Sequence, residues 1–455
     1  MNNIESILKT YTYEDGCIQR VQSVKLPGWD SLDFVYPKPS EKAFDQVCDL
    51  YEKFIVPKAP YLFGTLVFFS LPEDMKMPFP YETEWGITTD KETAAVLSLR
   101  KYIRGSRFEP SDEKGKAFVD ELKERGFLRI IKGTRPFHCR VLCISNKLGH
   151  LSSRKDEYRF LSNAGFFTMD MFDIGSPYDI IGRPIGLRIK NGICLDPPLF
   201  EREALFVMQD GSVKIERPRL SDLNFEIDGK TFIPDINAKL FERPNRRWTD
   251  GKGVDLAIIG TKVIAVSDHK KIIIPSAGFV LQIPNDGLTD ISKLAGKDVI
   301  YHGFEYVKFG IQAGNSAVIN GDEVKGFRSY FSNIRNPFAL PIPPSLYPRN
   351  YEKDRAPRMA LGCDKDGRPV IVWAEGPGKF DDLKEASKGL FSCGASLSEM
   401  AHICSDMGLL NAVNLDGGGS AQILLEGERK LLISDRHKED NSEYERTIPA
   451  GLSVI

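Results

Sequence analysis

The chain has 455 residues, 42% hydrophobic and 27% charged, which is ordinary globular usage with apolar residues enough for two to three domains. Lys plus Arg number 61 against 63 Asp plus Glu, a formal net charge of −2. That balance gives no bulk field for nucleic acid or an anionic membrane, and it excludes an acidic disordered tail protein. The opening MNNIESILKTYTYEDG has no basic stretch ahead of an apolar core, and no run approaches the ~18 apolar residues of a membrane span. The expectation is a cytoplasmic protein with neither nucleic acid nor membrane as partner. Eight cysteines, irregularly spaced and without a CxxC, predict free thiols in a reducing compartment.

In chain order, SEKAFDQVCDLYEKFI (40–55), KETAAVLSLRKYI (91–103) and SDEKGKAFVDELKERG (111–126) carry the apolar spacing of amphipathic helices, and FGTLVFFSL (63–71) reads as a buried strand. These segments predict an N-terminal α+β region over 1–134, with no motif that reveals its role. From 135 short β-type runs alternate with turn signals: RPFHCRVLCIS, PIGLRIKNGI, ALFVMQDGSVKIE, LAIIGTKVIAV, SAGFVLQI, SAVINGDEV and MALGCDKDGRPVIVWAEG. QDGS, NGDE and DKDGRP place Asp-Gly or Asn-Gly between apolar runs and predict hairpins. The clearest late helix is Leu397–Met407, with a capping-box pattern at Ser396 and Glu399 and Gly408 at its end. The expected fold class is therefore α+β, a β-rich 135–455 domain of mixed sheets with a few packed helices.

The strongest chemical signal is NAVNLDGGGSAQILLEG (411–427). A strand delivers Asp416, three glycines follow, then Ser420 and a second strand. Three glycines in that setting are costly unless the backbone approaches something closely or takes positive φ. Their N–H groups, at Gly417, Gly418 and Gly419, predict an anion-binding nest, with the Ser420 hydroxyl beside it; the bland alternative is a tight turn with an Asx-type cap. In FLSNAGFFTMD (160–170), Asn163 is a turn amide and Gly165 lies next to it. Arg358 opens a strand, where a cation clamps a phosphate bidentately or, as a bland alternative, joins a surface ion pair. Glu375 and Lys379 follow that strand with either role open. His138, Cys139 and Cys143 read as core, and no metal or cofactor is expected.

NAGFF, GRPIGLRIKNG, SAGFVLQI, FGIQAGNSAVINGDEV, APRMALGCDKDGRPVIVWAEG, GASLSEMAHICSDMGLLNAVNLDGGGSAQILLEG and the terminal ERTIPAGLSVI together resemble, in order and spacing, the phosphodiester glycosidase family. The resemblance spans about 135–455. It implies hydrolysis of a sugar-1-phosphodiester at the glycosidic C1–O bond, freeing the sugar and leaving a phosphomonoester. It carries over Asp416, Arg358 and Asn163 as catalytic candidates, and Gly165, Gly417, Gly418, Gly419 and Ser420 as substrate- or phosphate-binding ones. Glu399 also matches, though the capping box explains it. The chain departs from the family at Ala164, usually glycine, at Met359, usually threonine, and near Asn315, where a proline is usual. Loss of the threonine hydroxyl beside Arg358 bears on substrate identity. Two further readings are a hydrolase of a nucleotide-linked sugar or other phosphate-linked glycan, and a non-catalytic glycan-phosphate binding protein.

Overall fold

Short strands joined by tight turns decide the architecture. The computed structural model describes residues 3–455 apart from 59, 84–85, 136, 170–173, 201, 244–245, 285–289, 327–353, 378–391, 438–439 and 441. It is mostly β-sheet with few helices. The largest sheet is seven-stranded, in the order Glu5–Thr12, Ile18–Lys25, Pro369–Ala374, Arg358–Asp364, Leu409–Asn414, Ser316–Ile319 and Asp322–Glu323. Side-chain alternation sorts its faces. Met359, Leu361 and Cys363 point into a core with Trp373, Val413 and Leu415. Ala360 points the other way, against Met400, Ala401 and Cys404 of helix Leu397–Asp406.

Two more sheets close the first core. A four-stranded sheet orders Ile423–Leu425, Phe160–Asn163, Gly451–Val454 and Asp33–Val35, and a five-stranded one contains Ala204–Met208 and Val307–Gln312. Phe160, Ile423, Leu452, Leu205 and Ile311 meet in that same core. The outer face of the five-stranded sheet, through Ile189 and Phe206, packs on Leu256, Phe279 and Leu281 of a six-stranded sheet.

The predicted hairpins form at Val207↔Val213, Ile319↔Asp322 and Cys363↔Pro369. The capping box closes too: Glu399 N–H donates to Ser396 Oγ at 3.2 Å, and Ser396 N–H donates to the Glu399 carboxylate at 2.8 Å. Glu399 is further paired with Arg355, so its place in the chain needs no chemical role. Strand Thr65–Ser70 is buried on both faces, by helix Ala43–Leu50 on one side and by Lys91–Arg100 and Glu113–Glu124 on the other. All eight cysteines are free thiols, with Cys143 buried and Cys139 partly so. Among the described residues no helix is long and apolar enough to cross a membrane.

The sheets of the 135–455 region are largely antiparallel; among the described residues the one parallel ladder joins Thr65–Ser70 to Cys139–Ile144, in a sheet that is mixed. Hairpins of a few residues connect only antiparallel strands, whereas a parallel pair needs a long crossover. The break at 134/135 is also crossed by pairing in both directions. Ile18–Lys25 pairs with Pro369–Ala374, Asp33–Val35 with Gly451–Val454, and Gly86–Thr88 with Lys262–Asp268. The helices between 43 and 124 give that stretch its distinct periodicity, but Ile18–Lys25, Asp33–Val35 and Gly86–Thr88 belong to sheets completed well over a hundred residues later.

One consequence is testable by truncation. A chain beginning at residue 135 loses the neighbours of Pro369–Ala374 and Gly451–Val454, and is expected to aggregate or to lack a cooperative thermal transition. A sharp melt comparable to that of the full chain would show the first 134 residues to be dispensable.

Candidate active site

The site is built on one amide. Asn163 ends a strand held between Ile423–Leu425 and Gly451–Val454, and is 1% exposed. Its Nδ2 donates to the Asp416 carbonyl at 2.7 Å, and its Oδ1 accepts the Gln422 N–H at 3.1 Å. Both ends of the Asp-Gly-Gly-Gly-Ser loop are thus tied to one side chain. Asp416 N–H also reaches the Ala164 carbonyl at 3.2 Å, and Gly418 N–H the Pro357 carbonyl at 3.0 Å. The Asn163 turn, the Arg358 strand and the Asp416 loop therefore meet at hydrogen-bond distance.

Each glycine of the loop has a steric cause. A Cβ on Gly417 would lie 2.6 Å from the Pro357 carbonyl oxygen, and Gly418 has φ of +58°. A Cβ on Gly419 would overlap Arg446 Nη2 and Asp435 Oδ2, both at 2.2 Å. Two of the three N–H groups expected to form an anion nest have partners within the protein. Gly417 N–H turns back to Asp416 Oδ1 at 2.9 Å, and Gly418 N–H is taken by Pro357. The bare backbone serves close packing. Gly165 differs: its Cβ would make only an ordinary 3.5 Å contact with the Gln312 carbonyl. No protein neighbour therefore requires a glycine there.

Arg358 lies on the helix-facing side of its sheet and is 5% exposed. Its Nε donates to the Ala395 carbonyl at 3.0 Å and its Nη2 to the Asp354 carbonyl at 3.2 Å. Through these two bonds the guanidinium ties together the segments flanking its strand. Met359 is fully buried in the core on the opposite face, so the hydroxyl that is missing there would not stand beside that guanidinium. Glu375 is buried, ion-paired to Arg20 and bonded to Ser392 and Leu432 N–H, a structural role. Lys379 lies outside the described residues.

The cations that act on Asp416 are Arg446 and Arg202. Arg446 is paired with Asp435 through Nε at 2.9 Å and Nη2 at 2.8 Å, directly beneath Gly419. Arg202 is 3% exposed, its guanidinium 5.0 Å from the Phe166 ring centre and 5.4 Å from that of Phe200. Its carbonyl accepts from Gln312 Nε2 at 3.1 Å, while Gln312 Oε1 takes the Leu187 and Leu199 N–H groups. Phe200 has φ of +65°, a left-handed backbone that bulky residues adopt only when the surroundings impose it. Arg446 stands in the terminal ERTIPAGLSVI, a signal available in the sequence, whereas LFEREALF around Arg202 carries none.

Asp416 is half-buried. Burial pushes its carboxyl up to about 6, against the Ser420 hydroxyl, Arg446, the Gly417 N–H and Arg202, which all favour the charged form. The result is a carboxyl that titrates near neutrality, as acid–base and nucleophilic groups do.

Residues 252–455 match the model of the phosphodiester glycosidase family. That match takes in 204 of the 455 residues, a little under half of the chain. The match includes Arg358 and Asp416–Ser420 and starts at 252 rather than 135, leaving Asn163, Gly165 and Arg202 outside it. A segment of 84 residues is 36% identical to N-acetylglucosamine-1-phosphodiester alpha-N-acetylglucosaminidase of Mus musculus, covering 18% of this chain and 14% of that protein. Among solved structures, a hypothetical protein from Synechocystis aligns at 14% identity with a TM-score of 0.43, over 100% of this chain and 64% of its own. The zebrafish N-acetylglucosamine-1-phosphodiester alpha-N-acetylglucosaminidase catalytic domain, auto-inhibited by its pro-peptide, aligns at 12% identity with a TM-score of 0.32, over 99% and 82%.

The glycines give contrasting predictions. Gly419→Ala is expected to destabilise the protein by about 3 kcal/mol in urea unfolding, because backbone and ion pair leave no room. Gly165→Ala is expected to leave the unfolding midpoint unchanged. A second test uses pH. With the Asp416 carboxyl at about 6 in the fold and about 3.9 when unfolded, the folded state binds the proton more tightly. The contribution of this one group to stability is thus greatest below about pH 4 and falls by about 3 kcal/mol as pH rises through 6. Asp416→Asn removes this dependence and is expected to melt above wild type at pH 8 but not at pH 4.

Proposed function

We propose that this protein is a hydrolase that cleaves the glycosidic C1–O bond of a sugar-1-phosphodiester, releasing free sugar and a phosphomonoester. The observation that carries this reading is the Asp416 carboxyl, which lies within the family-matched region and which burial pushes up to about 6 against the pull of Arg446 and Arg202. The leaving group is a phosphate monoester, far less basic than a sugar alkoxide, so little acid assistance is needed at the departing oxygen. The demands are stabilisation of an oxocarbenium-like sugar and of charge growing on phosphate. Asp416, ionised, serves the sugar side at C1. Arg446 and Arg202 serve the phosphate side. A carboxylate and a phosphate repel when adjacent, and cations shared between them remove that conflict. Asn163 acts by holding the loop, and Gly165 leaves space at the rim for the substrate to approach the backbone. The Ser420 hydroxyl favours the ionised form of Asp416.

The test is phosphorus NMR of the purified protein with a panel of sugar-1-phosphodiesters, including an N-acetylglucosamine-1-phospho-sugar and a UDP-sugar. A phosphomonoester signal with matching free sugar is expected, its rate rising as pH climbs through about 6. Asp416→Asn should lower kcat by about 10³-fold or more, and Arg446→Met by about 10²-fold. Arg358→Met should lower Tm with KM unchanged. Turnover of the UDP-sugar alone would move the assignment to nucleotide-linked sugars. Binding without turnover of any member would overturn it.

A further inference from the structure

Of the eight thiols only Cys17, Cys139 and Cys393 are partly exposed, and the first and last of these are brought together from opposite ends of the chain. Cys393 N–H donates to the Ile18 carbonyl at 3.0 Å, and Arg20 N–H to Ser392 Oγ at 2.8 Å, so 392–393 lies along the start of strand Ile18–Lys25. The Cys393 thiol donates to the Gly394 carbonyl at 3.5 Å and lies 4.0 Å from Gln19 Oε1, two residues from Cys17, whose own thiol acts to push the Cys393 thiol up. Around them runs one polar network. Asp15 accepts the Cys17 N–H and pairs with Arg355; Arg355 lies 4.3 Å from the Tyr13 ring centre and pairs with Glu399 of the helix cap. Ala395, two residues beyond Cys393, bridges to Ala356 and holds Arg358.

We propose that Cys17 and Cys393 form a reversible disulfide that clamps the first hairpin to the segment anchoring Arg358 and capping helix Leu397–Asp406. The oxidant is a low-molecular-weight disulfide such as glutathione disulfide. One thiolate displaces one glutathione to give a mixed disulfide, and the second thiolate displaces the other. Two thiols lose two protons and two electrons, and one glutathione disulfide becomes two glutathione thiols. Burial pushes the Cys393 thiol up to about 11, which slows its own part in the exchange without changing the product. Backbone bonds hold both residues in place, Tyr13 N–H to the Cys17 carbonyl at 2.9 Å and Cys393 N–H to the Ile18 carbonyl at 3.0 Å.

The full chain is incubated at pH 8 with glutathione disulfide and digested without reduction. A Cys17–Cys393 peptide pair two hydrogens lighter than the free thiols is expected, lost in Cys17→Ser and in Cys393→Ser. The oxidised protein should melt several degrees above the reduced one, and dithiothreitol should reverse both changes. Glutathione retained on Cys17 without the cross-link, a bond between other cysteines, or free thiols throughout would each overturn the proposal. None of these readouts depends on a substrate, so they stand apart from the glycosidase assignment.

Discussion

The side-chain amide of Asn163 is a two-pronged tie, with one prong on the carbonyl of Asp416 and the other on the N–H of Gln422. A loop of three glycines has little conformational preference of its own, and left untied it would lose considerable backbone entropy on ordering. The tie works because its base does not move: the strand carrying Asn163 is paired on both edges. Once the ends of the loop are set, its backbone can lie against Pro357 on one side and the Arg446–Asp435 ion pair on the other. The carboxylate then has one place to be.

That place is electrostatically balanced rather than simply positive. Burial opposes ionisation of Asp416, and two guanidiniums with a hydroxyl and an N–H favour it. Arg446 is itself committed to Asp435, and Arg202 is packed between aromatic rings, so neither cation can swing in and hold the carboxylate permanently charged. The arrangement suits a group that must change its interactions during a reaction, since a fully satisfied salt bridge would resist that change.

Much of this was legible in the residues. The Asp-Gly-Gly-Gly-Ser loop, the three hairpins and the Ser396–Glu399 cap follow from local rules that act over a few residues, and tertiary packing does not override them. What the residues hid has a common cause. Whether Arg358 faces the site or the helix depends on strand register, and whether glycine N–H groups are available depends on neighbours from other segments. Strand pairs cross the boundary near 134 for the same reason: a strand such as Ile18–Lys25 says nothing about which partner it will meet. Arg202 was invisible because a buried arginine between phenylalanines has the same local sequence as an exposed one.

The pairing of Ile18–Lys25 with Pro369–Ala374 has a kinetic side. About 350 residues separate the partners, and at ~5–20 residues per second the ribosome needs roughly 20–70 s to make them. Throughout that interval the inner strand of the first hairpin presents an open edge and an unburied apolar face. The outer strand, ESILKTYT, is almost wholly exposed and carries Glu5 and Lys9. Charged side chains on such a strand discourage pairing with other nascent chains. The N-terminal hairpin is thus a waiting structure, and the polar character of its outer strand guards a seam that closes only when the sheet is nearly complete.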